Sequence, residues 1–385
     1  MYLFPVMISA FIILSCAQDP IFYDLSIEPV PKVPIIAGSP TNMAVVNGKI
    51  YVGSRNSRRI YFYDGNRWTS MGTPGGTLGQ LATDGTSYLY ALVYPNGEPT
   101  SSSVIKRYDV LGGQWDGVEI SVPGYSIQSL FCTDDTVFAG CQVNSDRQSY
   151  AIMYCDLDLS SSPLISGTSL LTGVAKGPVI TLLATLGGGV LKFDGSSTSL
   201  IPQTNTAGKL LRGIIYTGDT VGTYVAVGND TDGSGSVYQS DTGDDFTVIS
   251  TGPTFTGALS VWKKYDEGAG IWQPALLLLG IHGQLTSLTH GYREMLLDTT
   301  GNVISGIKNP GSGTPTSVTS QAKYDASLGV NPVEAILQVP DISEGGPLDY
   351  AGAIAQDPSW QPPMFASTAQ NGVWSYRSEQ WNAED

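Results

Sequence analysis

Tyr63-Asp64-Gly65-Asn66-Arg67-Trp68 ends an apolar run on an aromatic, turns on Asp-Gly, and opens the next run with Trp. The figure returns along the chain. Tyr376-Arg377-Ser378-Glu379-Gln380-Trp381 repeats it near the C-terminus. Between the two stand Tyr108-Asp109 followed by Trp115, Tyr154-Cys155-Asp156, Phe193-Asp194-Gly195, and the stretch from Ser240 to Phe246. Recurrence at roughly 40–50 residues is the period of a propeller blade, one four-stranded sheet per repeat.

The first repeat shows the template. An apolar strand over 41–46 meets Asn47-Gly48, a strong hairpin turn, and 49–54 alternates as a second strand. A third strand follows at 58–63 and an outer fourth at 67–71. Inner strands of the next three repeats are expected at 79–83, 127–132 and 170–174, with blades five and six over 210–249 and 258–297. The closing strands of the last blade fall at 364–368, 373–376 and 380–382. Residues 40–385 are therefore expected to form an all-β propeller of seven blades, each of four antiparallel strands. Six to eight blades stay compatible, because 316–363 holds more chain than one inner strand needs. Every blade aromatic, Trp68, Trp115, Phe246 and Trp381 included, is expected to pack between blades.

Of the 385 residues 46 are Gly and 23 are Pro, which suits many tight turns, and 41% are hydrophobic, enough for a continuous core. Only 14% are charged, against roughly 25% in typical soluble domains, so uncharged polar side chains must supply most of the surface. A net charge of −15 repels phosphate backbones, and no basic stripe offsets it, which argues against nucleic acid as a partner.

Met1 to Leu14 is apolar apart from Ser9. That is shorter than the roughly 18–20 residues that span a bilayer and suits a signal peptide over 1–15. Ile13-Leu14-Ser15-Cys16 resembles the lipobox of bacterial lipoproteins. The resemblance implies that Cys16 is the acylated N-terminus of the mature chain and that lipid holds the protein to a membrane of the bacterial cell envelope, in the periplasm or on the surface. The sequence departs from that pattern in having no Lys or Arg before the apolar run. Residues 16–39, with Pro20, Pro29, Pro31 and Pro34, read as a stiff tether. Within it 21–27 alternates like a strand that would pair with the last blade.

With the Tyr-Asp-Gly-x-x-Trp repeats, this organisation is similar to the propeller lipoproteins of spirochaetes such as treponemes. That likeness implies an envelope or surface binding protein and carries over no catalytic residue. Gln239 to Phe246 resembles the Asp-box of sialidase-like propellers, with Asp241, Gly243 and Phe246 on its positions and Gln239 where its Ser should be. The box forms a turn, so the match implies fold rather than catalysis.

Chemistry-bearing motifs are scarce. His282 and His290 are the two histidines, and their spacing is not that of a zinc motif. No nucleophile elbow, Walker loop or dinucleotide fingerprint is found, so no cofactor is expected. Asp230 and Asp232, alternate carboxylates before Gly233, make a weak calcium candidate without a full ligand set. Cys132, Cys141 and Cys155 remain after Cys16; Cys141 and Cys155 flank one hairpin and either form a disulfide or stay as thiols.

Two functions follow. The first is a lipid-anchored binding or scaffolding protein for a protein or glycan partner. Its surface would lie on the face of the second-to-third strand loops, with Arg55, Tyr94 and Arg147, and with Trp262 and Tyr265 lining the channel mouth of the same ring. The alternative is a carbohydrate-active hydrolase or lyase, which requires paired carboxylates or a metal held by His.

Overall fold

Among the described residues, alternating apolar runs and Gly-rich turns assemble into twenty-eight strands and one short helix. The computed structural model describes residues 36, 38–99, 102–200, 206–218, 221–252, 254–266, 270–282, 291–308, 332–341, 348–357, 360, 362–370, 372–377 and 380–384. The signal peptide, Cys16, nearly all of the tether with its 21–27 segment, and His290 lie outside the described residues.

Blade 1 is β1 (Pro40–Val46), β2 (Lys49–Ser54), β3 (Arg59–Tyr63) and β4 (Trp68–Gly72). Blade 2 is β5 (Thr77–Thr83), β6 (Tyr88–Tyr94), β7 (Val104–Asp109) and β8 (Gln114–Ile120). Blade 3 is β9 (Tyr125–Cys132), β10 (Thr136–Val143), β11 (Tyr150–Asp156) and β12 (Leu164–Thr168). Blade 4 is β13 (Leu170–Lys176), β14 (Thr181–Leu186), β15 (Gly189–Phe193) and β16 (Thr198–Leu200). Blade 5 is β17 (Leu210–Tyr216), β18 (Tyr224–Asn229), β19 (Gly235–Ser240) and β20 (Thr247–Gly252). Blade 6 is β21 (Phe255–Asp266), β22 (Ile271–Ile281), β23 (Tyr292–Leu297) and β24 (Val303–Lys308). Blade 7 is β25 (Val333–Gln338), β26 (Met364–Thr368), β27 (Val373–Arg377) and β28 (Gln380–Ala383), with helix α1 (Tyr350–Gln356) inserted after its inner strand.

Each unit is an antiparallel meander, and the whole is a β-propeller. As sheets, five are separate and four-stranded, while blades 4 and 5 merge into one of eight strands. A single bridge, Leu186 to Leu210, makes that junction. The core divides by interface. Seven clusters of buried apolar side chains lie one between each blade and the next. The last closes the ring: Phe365 of blade 7 meets Tyr63 and Trp68 of blade 1 with ring centroids 5.0 and 5.5 Å apart.

Second strands are covered on both faces, so they read as continuous apolar runs: all six residues of β18 are buried. Outer strands face solvent and are more polar, as in β8 and β20. Meander order puts the first-to-second and third-to-fourth turns on one face, here the turn face. The second-to-third loops and the starts of the inner strands share the opposite one, the entry face. On the turn face Asn47 (φ 46°) and Gly48 (φ 69°) both take left-handed backbone, as a two-residue hairpin turn demands.

The recurring Asp has a local task. Asp64 Oδ1 accepts from the backbone N–H groups of Asn66 and Arg67, both at 2.9 Å, and Asp194 does the same for Ser196 and Ser197. In blade 5 the Asp-box reading needs correction. Ser240 Oγ accepts from Gly243 N at 2.9 Å, whereas Asp241 accepts from the Thr223 hydroxyl and the Gln239 amide.

Candidate functional site

Near its start, every inner strand breaks register with its neighbour. Pro40 pairs with Ser54 but Met43 with Val52, so Thr41 and Asn42 share the space opposite Gly53. Gly79 and Gln80 bulge likewise in β5, Gln128 in β9, Thr172 in β13, Arg212 in β17, Thr256 to Ala258 in β21, and Glu334 in β25. A bulge adds one residue to one strand and re-aims its side chain. Here it re-aims a polar residue in every blade. Glycines permit the crowding that results. A Cβ on Gly213 would stand 2.7 Å from Gly257 O, and Gly257, at φ +96°, lies against Arg212 O.

Several of these residues clasp adjacent blades. Asn42 Nδ2 donates to Leu81 O at 2.7 Å while Leu81 N donates to Asn42 Oδ1 at 2.8 Å. Gln80 Oε1 accepts from Leu130 N at 2.7 Å, and the Thr172 hydroxyl lies 3.0 Å from Leu211 O. Other side chains span the remaining interfaces. Ser129 joins blade 3 to 4, Asn229 blade 5 to 6, Gln338 blade 7 to 6, and Ser367 blade 7 to 1.

The bulges of all blades but blade 3 line an axial cavity of about 270 Å³. Asn42, Gln80, Thr172, Arg212, Thr256 and Glu334 all face it, with Met43, Phe131 and Ile336 as apolar wall. Arg55 joins them from the end of β2. Its Nη1 donates to Pro40 O at 3.0 Å and its Nη2 to Gly79 O at 3.2 Å, which fixes the guanidinium across the blade 1–2 junction. Three formal charges thus line the cavity, Arg55, Arg212 and Glu334. Among the described residues none of the three forms an ion pair. Of the residues singled out in the sequence, Arg55 is the one in this lining.

Arg147 is exposed on the loop after β10, on the entry face but outside the cavity lining. Tyr94 is not a loop residue. It ends β6 with 8% of its surface exposed, its ring fills the space left by Gly79, and burial pushes its hydroxyl pKa up to about 12. Trp262 and Tyr265 belong to the long β21–β22 hairpin on the turn face, the opposite side from Arg55. There Tyr265 packs on Trp272, which packs on Tyr350 of α1. The turn face is therefore minimal at Asn47-Gly48 and Asp84-Gly85 but built up at blades 6 and 7.

Asp230 and Asp232 are both engaged, Asp232 within its hairpin and Asp230 with a lysine that precedes β17. Asp230 accepts from Lys209 Nζ, and Asp232 accepts from the Ser234 backbone and hydroxyl at 2.9 and 2.7 Å. No group of three or more His, Cys, Asp or Glu that could hold a metal ion occurs among the described residues. Cys132, Cys141 and Cys155 are free thiols. Register explains why Cys141 and Cys155 do not bridge. Cys141 pairs with Ala151 and Cys155 with Val137, about 14 Å apart along the strands at 3.4 Å per residue and beyond disulfide reach.

The bulge residues were missed because strand alternation treats a polar residue in an apolar run as facing solvent. A signal was present. In β13, β17 and β21 the polar residue is followed at once by Gly: Thr172-Gly173, Arg212-Gly213 and Thr256-Gly257.

No family model matches the chain, and no curated protein does. Among solved structures it is similar to regucalcin, a calcium-binding protein of Agrobacterium tumefaciens, at 13% identity and a TM-score of 0.43, over 70% of this chain and 92% of that one. A chain of the mitotic checkpoint complex is similar at 11% identity and a TM-score of 0.37, over 69% and 92%. The propeller assignment stands on sheet topology and on the seven interface clusters.

Proposed function

We propose that this chain is a lipid-anchored binding protein of the bacterial envelope, whose propeller takes a protein or glycan partner at its entry face. The observation that carries this reading is the axial cavity, where bulged inner strands gather polar and charged side chains that form no ion pair among the described residues. Arg55 ties that cavity to the entry-face loops. Such concave sites with a few convergent polar groups are where ligands bind. No helix among the described residues is long and apolar enough to cross a membrane; attachment through Cys16 would need none. For the carbohydrate-active alternative, glycoside hydrolysis uses two carboxylates roughly 5–10 Å apart, and among the described residues lining the cavity Glu334 is the single carboxylate. Binding is the reading that composition supports.

Two measurements test it. Cys16→Ala should abolish fatty-acid labelling and release the protein from the membrane fraction; labelling that persists in the variant removes the anchor from the proposal. A pull-down from detergent-solubilised envelope should recover a partner with the native chain and lose it with Arg55→Ala plus Arg147→Ala while the variant still unfolds in one cooperative transition. Loss on altering Asn47 and Asp84 instead would move the binding surface to the turn face.

A further inference from the structure

The polar groups around the axis differ in what they have left to offer. Asn42 uses its amide oxygen and nitrogen on Leu81, Gln80 its oxygen on Leu130, and Thr172 its hydroxyl on a neighbouring carbonyl. These hold blades together. Arg212 and Glu334 occupy the same bulge position and clasp nothing among the described residues. Arg55 commits two N–H groups to backbone carbonyls, which leaves three of its five donors. The charged groups with capacity are thus two guanidinium ions and one carboxylate.

Their placement keeps them from neutralising one another. Arg55 spans blades 1 and 2, Arg212 belongs to blade 5 and Glu334 to blade 7, so the three come from different blades, and no two of them are ion-paired among the described residues. A ligand entering here displaces solvent and must offer each charge a complement, or the site loses more than it gains. A simple anion would meet Glu334, and a simple cation would meet two arginines. A compound with both a carboxylate and an ammonium group satisfies all three. It also carries no net charge, so the protein's −15 does not oppose its approach.

We infer that the axial cavity binds a small zwitterion of the amino-acid class, its carboxylate held by Arg212 and Arg55 and its ammonium by Glu334. The inference rests on the cavity being a binding site, and on neither the lipid anchor nor the protein or glycan partner.

Calorimetric titration of the whole chain with glycine, β-alanine and γ-aminobutyrate tests it, with butyrate and butylammonium as probes carrying one charge each. At least one zwitterion should bind, and each singly charged probe should bind at least about tenfold more weakly, the scale of one lost charge-assisted hydrogen bond. Arg212→Gln and Glu334→Gln should each weaken the zwitterion roughly tenfold to a hundredfold. Lys106→Ala, a charge change on the outer part of blade 2, should leave it unaltered. Thermal unfolding of each variant confirms that the ring is intact. The inference is overturned if no zwitterion binds, if butyrate binds as well as γ-aminobutyrate, or if Glu334→Gln tightens binding, since that result marks a plain anion site. A pull-down partner that proves independent of Arg55 and Arg147 would sink the entry-face reading while leaving these titrations to stand or fall alone.

Discussion

Asp64 closes its turn with one carboxylate oxygen, and the same device recurs at Asp194 and Asp298. Hydrogen bonds from the Arg67 and Asn66 backbone hold the Asp64 carboxyl below its ordinary pKa; those from Ser197 and Ser196 do so for Asp194. At Asp298 partial desolvation pushes the other way, but hydrogen bonds from Thr300 and Asn302 outweigh it and bring the pKa to about 2. A carboxyl depressed in the folded state stabilises fully above its unfolded value, roughly 3.9. That contribution is lost as pH falls through the folded value. The unfolding midpoint should therefore respond to these turns only below about pH 4, falling toward pH 2, and Asp298→Asn should shrink the fall. Equal acid sensitivity in wild type and variant would show that this turn contributes nothing. The Asp figure was legible because each copy ends a strand before a tight turn. At Asp241 the reading slipped, because the Ser240 hydroxyl one position earlier offers the turn the same acceptor.

Within a blade, the four strands see different surroundings, and the fourth is the most variable. Trp68 on β4 is 5% exposed and its Nε1 donates to Glu384 Oε2 at 3.0 Å, while Trp115 on β8 is half-buried at the edge of its cluster. Trp68→Ala should cost about 3–5 kcal/mol in denaturant unfolding, as for large-to-small changes in a core. Trp115→Ala should cost clearly less, although sequence assigns both to the same blade position. Equal losses would mean that interface packing, not exposure, sets the cost. The alternating runs placed the inner and second strands of the early blades within a few residues. Tyr94 was misplaced because the loop-like Pro95-Asn96-Gly97 after it suggests exposure, whereas the absent side chain of Gly79 admits its ring. The bulges stayed hidden because an extra residue shifts alternation locally and makes an axial Arg212 or Glu334 look as if it pointed away from the axis. The site was therefore less legible than the fold.

At the scale of the ring, each blade is folded from one continuous stretch of chain. Blade 7 draws all four strands from Val333 to Ala383, so the expected strand from 21–27 is not required to complete it. Side chains close the seam instead. Glu384 receives Trp68 and lies 3.7 Å from Arg377, whose guanidinium also donates to the Tyr63 hydroxyl at 3.0 Å; the Ser39 hydroxyl donates to Ala369 O. In apolar packing and clasping this junction is like the other six. Elsewhere consecutive blades are joined by one residue between β12 and β13 or by four between β4 and β5. The order in which the chain visits the blades is then an accident of where synthesis begins. A circular permutant that opens residues 73–76 and joins Glu384 to Ser39 through a comparably short peptide should rebuild the same ring. Its unfolding should remain a single cooperative transition; two separated transitions would mean that the native seam differs in kind from the interfaces inside the chain.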